Sequence, residues 1–163
     1  MGFQGEVLSV GALLDAAFTT PETAPNHSVG VRHTAAQNAA ACRALLAAGE
    51  ALDACWRFGI LQTLDDYTSA LRRGGPDLAA GVFADEPPRT GASEVDAAFA
   101  ALAVHLAERD GWQEPAWALD SERRTDGWYP AVPAIFRSEA DRESPEAFRS
   151  RGILITSRFL ARA

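Results

Sequence analysis

Ser93-Glu94-Val95-Asp96-Ala97-Ala98-Phe99-Ala100-Ala101-Leu102-Ala103-Val104-His105-Leu106-Ala107-Glu108-Arg109 is the stretch on which the fold turns. It opens with a Ser-x-x-Asp capping pattern, and Val95, Phe99, Leu102 and Leu106 follow at steps of four, three and four. Asp110-Gly111 stops it. Start, face and stop agree on one amphipathic helix. His105 sits at the edge of that face, about 80° from Val95, where a structural hydrogen bond accounts for it.

Toward the N-terminus, Asp85-Glu86-Pro87-Pro88-Arg89-Thr90-Gly91 reads as a linker, because consecutive prolines exclude a helix interior. Before it, Pro76 opens a short helix through Leu78, Val82 and Phe83. Thr63 and Asp66 form a second capping pattern, for a helix through Tyr67 and Leu71 that ends at Gly74-Gly75. His33 to Phe58 reads as one long helix with Cys42, Leu45, Gly49, Leu52 and Trp56 on one face. Its small residues suit the centre of a bundle. Ser9 to about Thr19 predicts a first helix, followed by a loop holding His27 and Arg32. Beyond Gly111, Trp112, Trp117, Trp128 and Tyr129 lie among Pro115, Pro130 and Pro133, too broken for one helix and too apolar for a linker. Ser144-Pro145-Glu146 predicts a short helix through Phe148 that ends at Gly152, and Ile153-Leu154-Ile155 an extended buried piece. The expected fold is mainly α, a helical bundle with an irregular Trp- and Pro-rich C-terminal lobe. The expected division is 1–84 helical region, 85–91 linker and 92–163 C-terminal module.

Length and composition agree with a globular chain of 163 residues, 47% hydrophobic and 23% charged. The net charge of −7 argues against nucleic-acid coating. Residues 137–163 carry +2 against −9 for the rest, which suggests a docking surface for an acidic partner. The start, Met1-Gly2-Phe3-Gln4-Gly5-Glu6, lacks the pattern of a signal peptide, and no apolar run suits a membrane span; a cytoplasmic protein is expected. Cys42 and Cys55, thirteen apart on one helix, would lie roughly 220° around it from each other. His27, His33 and His105 have no paired-ligand spacing. Neither metal, cofactor nor internal disulfide is expected, and no catalytic residue is assigned.

Asp85-Glu86-Pro87-Pro88-x-Thr90-Gly91, the Ala-Leu-Ala-x-His105-Leu106-Ala107 helix, Pro115-Ala116-Trp117, Trp128-x-Pro130 and Ser144-Pro145-x-Ala147-Phe148-Arg149-x-Arg151-Gly152-Ile153 together resemble a module of actinobacterial proteins. The resemblance covers about the last eighty residues. It implies an antitoxin-like or regulator-associated protein, commonly encoded beside a nucleotidyltransferase-like protein. Ser150 interrupts what that module shows as a run of three Arg, and the N-terminal half has no basic recognition helix, so direct DNA binding is not expected. The expected function is therefore a non-enzymatic interaction protein whose partner-binding residues are Trp128, Tyr129, Arg149 and Arg151. The alternative is a small enzyme or ligand-binding protein with a pocket under Trp117, Trp128 and His105.

Overall fold

In the computed structural model, which describes residues 30–161, helix α1 (Ala35–Ala47) starts at Thr34. The Thr34 hydroxyl accepts from the Gln37 N–H while the Gln37 side chain accepts from the Thr34 N–H, a reciprocal capping box. The expected helix from Ser9 and the loop at His27 lie outside the described residues.

The long helix expected over His33–Phe58 is broken. Gly49 takes φ +87°, which L side chains rarely adopt, and the chain turns there before resuming as α2 (Leu52–Cys55). The turn lays α2 back against α1, so Cys42 and Cys55 are brought together rather than held apart. Each thiol donates to the other residue's carbonyl at 3.7 Å. Both are buried free thiols, and burial pushes the Cys42 thiol up to about 12. Cys42 and Cys55 therefore face each other across a turn instead of lying on opposite sides of one helix.

From Cys55 the chain passes without a stop through a π-helical segment (Trp56–Leu61) into α3 (Gln62–Ala80). Thr63 is thus not a cap. It lies inside the helix, donating to the Gly59 carbonyl at 2.8 Å and accepting from Asn38 at 2.9 Å. The expected break at Gly74-Gly75 is present as a kink at Gly75, with Pro76 resuming the helix. Segment 85–91 then runs extended over the core. Arg123, 1% exposed, holds it by donating from Nη2 to Glu86 Oε1 (2.9 Å) and the Pro87 carbonyl (2.8 Å). The Arg123 guanidinium lies over the Trp117 ring at 5.2 Å, which offers a π face to its remaining N–H groups.

Helix α4 (Ser93–Asp110) is the centre of the bundle, a place the sequence suggested for the earlier Ala-rich helix. Nearly every residue from Val95 to Ala107 is buried, because its alanines admit neighbours on all sides. Ser93 is its first helical residue rather than its cap. Asp96 instead reaches back to accept from the Thr90 N–H (2.9 Å) and hydroxyl (2.8 Å), fixing the entry of the chain. One buried cluster runs from Ala35 to Ile155, so the regions before and after 85–91 share a core.

The end of α4 is tied to α3. Arg109 grips Asp110 with two bonds of 2.9 and 2.7 Å, the Tyr67 hydroxyl donates to Asp110 at 2.6 Å, and Trp112 donates to Tyr67 at 2.8 Å. The Arg109 bonds, then the Tyr67 bond, hold the Asp110 carboxyl below its ordinary range. A depressed folded-state pKa contributes stability above the unfolded value and loses it as pH falls through the carboxylate range. Asp110→Asn should therefore cost about 1–2 kcal/mol at neutral pH. The difference from the natural chain should shrink below about pH 4, as read from denaturant midpoints; a gap constant with pH would contradict the network.

After α4 the chain forms short helical turns: Ala116–Leu119, Ala134–Phe136, α5 (Arg137–Glu143), α6 (Glu146–Arg149) and Ser157–Phe159. No strand occurs among the described residues, only a parallel bridge between Trp128 and Ile153. The Trp128 N–H donates to the Gly152 carbonyl and the Leu154 N–H to the Trp128 carbonyl, both at 2.8 Å. The Ser144 hydroxyl, expected as a cap, instead donates to the Ile153 carbonyl at 2.9 Å and accepts from the Ile155 N–H at 3.3 Å. The fold is mainly α.

Candidate functional site

On the C-terminal lobe, Val132, Pro133, Phe136, Thr156, Arg158 and Phe159 line a concavity of about 320 Å³. Pro133 starts the turn that carries Ile135 and Phe136, while the last turn brings Arg158 and Phe159 to the opposite wall. Ile135, 82% exposed, stands on the same turn as Phe136. Contiguous exposed apolar surface rimmed by polar side chains marks interaction sites.

Arginines and hydrogen bonds hold these aromatic rings. Arg158 lies over the Phe136 ring at 5.2 Å and pairs with Glu139 at 3.2 Å. Arg137 lies over Tyr129 at 5.0 Å, and the Tyr129 hydroxyl donates to Asp141 at 2.8 Å, which raises the Tyr129 pKa. The Ser157 N–H and hydroxyl both donate to Glu143, pulling its carboxyl down. Behind Phe159, Trp56 meets both Phe159 and Trp128 edge to face at 5.9 and 5.8 Å. The buried Trp56 indole N–H has no hydrogen-bond acceptor among the described residues.

The residues singled out from sequence are distributed differently. Trp128 is half-buried against Trp56, and Tyr129 stands beside α5. Arg149 is exposed and pairs with Glu146 at 2.8 Å. Arg151 is half-buried and donates to the Ala147 (3.0 Å) and Ala118 (2.7 Å) carbonyls, a structural role sequence spacing did not reveal. Trp117 is buried and donates to the Phe83 carbonyl at 3.0 Å. His105 packs edge-on against Phe148, and burial, with the Arg109 charge, lowers its pKa. Trp117, Trp128 and His105 thus each face a different neighbour. Ile135 and Phe136 were not singled out from sequence; two large apolar residues two and three positions after Pro133, just before the polar run Arg137-Ser138-Glu139, were the available signal.

Among the described residues, no three His, Cys, Asp or Glu side chains converge as a metal site, and no helix is long and apolar enough to cross a membrane. No family model, curated protein or solved structure matches the chain. The class of protein defined is a mainly α fold with a concave apolar surface rimmed by arginine.

Proposed function

We propose that this chain is a non-enzymatic interaction protein that acts in the cytoplasm. We read it as the antitoxin-like or regulatory half of a bacterial two-gene system whose partner is a nucleotidyltransferase-like protein. The observation that carries the interaction reading is the concavity between Phe136 and Phe159 with Ile135 exposed on the same turn. Aromatic residues and arginine are enriched where proteins bind one another, and both are gathered here. The partner supplies an apolar side chain for the concavity and a carboxylate for Arg137, which is exposed one residue beyond Phe136. The overall charge of −7 favours a protein partner over nucleic acid.

Co-expression with the product of the adjacent gene should yield a complex that co-purifies. Ile135→Asp should weaken it at least about tenfold, since a buried charge without a partner is costly at an interface. Because Ile135 is exposed in the free chain, the same change should alter its stability by no more than about 0.5 kcal/mol. A folded Ile135→Asp variant that binds like the natural chain would remove this surface. Failure of the two natural proteins to associate would remove the two-gene reading.

A further inference from the structure

A second concavity, of about 180 Å³, lies between the turn after Leu119 and the end of α6, lined by Leu119, Asp120, Ser121, Arg124, Ser150 and Arg151. Its chemistry is that of an anion receptor. Arg151 is pre-positioned by its bonds to the Ala147 and Ala118 carbonyls, which occupy one N–H on each terminal nitrogen and leave three others for a ligand. Arg124 is exposed, and among the described residues neither Arg124 nor Arg151 lies in an ion pair. Burial disfavours the Arg151 cation; Glu108 of α4 acts the other way, and the like charge of Arg124 adds a smaller disfavouring effect. Asp120, the carboxylate in the lining, is already committed. Its Oδ2 accepts from Arg89 at 2.7 Å, and its Oδ1 accepts from the Glu122 N–H at 2.9 Å.

We propose that Arg124, Arg151, Ser121 and Ser150 form a binding site for a phosphate group. The Ser150 hydroxyl donates to the Ala147 carbonyl only at 3.5 Å, a weak bond that it gives up to face a ligand. Two guanidinium groups and two hydroxyls then present more donors than the two oxygens of a carboxylate can use, whereas a phosphate has three or four oxygens to receive them. Its negative charge would also relieve the repulsion between the two arginines. The site is distinct from the apolar concavity, and it takes either free phosphate or the phosphoryl group of a larger molecule.

Titration of the intact protein with inorganic phosphate and with phenyl phosphate, at constant ionic strength and followed by amide NMR shifts, tests this. Saturable shifts are expected at Ser121, Arg124 and Ser150, with a Kd on the order of 1 mM. Arg124→Gln should weaken binding about tenfold, with thermal unfolding unchanged because Arg124 is exposed. Tighter binding of phenyl phosphate would identify a phosphorylated molecule as the source, and equal or weaker binding free phosphate. Linear shifts without saturation, or Arg124→Gln titrating like the natural chain, would overturn the proposal.

Discussion

Gly152→Ala should destabilise the protein by at least about 3 kcal/mol, roughly 6–12 °C in Tm for a chain of this size. A Cβ at Gly152 would lie 2.0 Å from the Thr125 carbonyl oxygen and 2.9 Å from its carbon. Those atoms are backbone and cannot rotate away. Gly152 also stands where the C-terminal piece is joined to the preceding lobe, its carbonyl accepting from Trp128 while the Arg151 carbonyl accepts from Thr125. Separating the two segments of that junction would break both bonds and disturb Trp128 against Trp56. Gly49→Ala is the control. It shares a positive φ, +87° against +78°, but a Cβ there meets nothing within 4 Å. It should cost only the backbone strain, about 1–2 kcal/mol. Chemical denaturation of both variants decides the matter; equal losses would mean that the close approach at Thr125 is unimportant.

Gly59→Ala should cost a further large amount by a different route, and this loss should be reversible. A Cβ at Gly59 would lie 2.2 Å from the Cys42 sulfur and 3.4 Å from Phe99 Cζ, where the π-helical segment crosses α1 and α4. Helix propensity favours alanine over glycine by about 1 kcal/mol, but the overlap demands that Cys42 move. Cys42 has no room in the packed core, and moving it breaks its bond to the Cys55 carbonyl. A net loss of about 2–3 kcal/mol is expected. In the background of Cys42→Ala the obstacle is gone, so adding Gly59→Ala there should be neutral or stabilising. A double-mutant cycle reads the coupling directly. Additive losses would show that Cys42 is not what Gly59 makes room for.

The sequence alone determined the features whose causes are local. The helix from Ser93 to Asp110, the break at Gly74-Gly75-Pro76, the extended run at Pro87-Pro88 and the short piece at Ile153–Ile155 are each written in caps, prolines or apolar spacing within one stretch. Other features depended on which surfaces meet. Thr34 and Gln37 stand at capping-box spacing, a signal not used when the helix was read from His33, and reading it through Gly49 hid where α1 ends. Gly49 is compatible with a helix interior or a turn, and only the packing of α2 against α1 selects the turn. That selection reverses the relation of Cys42 to Cys55, since two residues apart on one cylinder become neighbours across a hairpin. Alanine is equally at home on a surface and in a core, so the small residues that suggested a central place for the earlier Ala-rich helix suited both helices; the tertiary structure chose α4. The apolar concavity joins Val132–Phe136 to Thr156–Phe159, and the anion receptor joins Ser121–Arg124 to Ser150–Arg151. Both are made of segments separated along the chain, and only long-range packing brings them face to face.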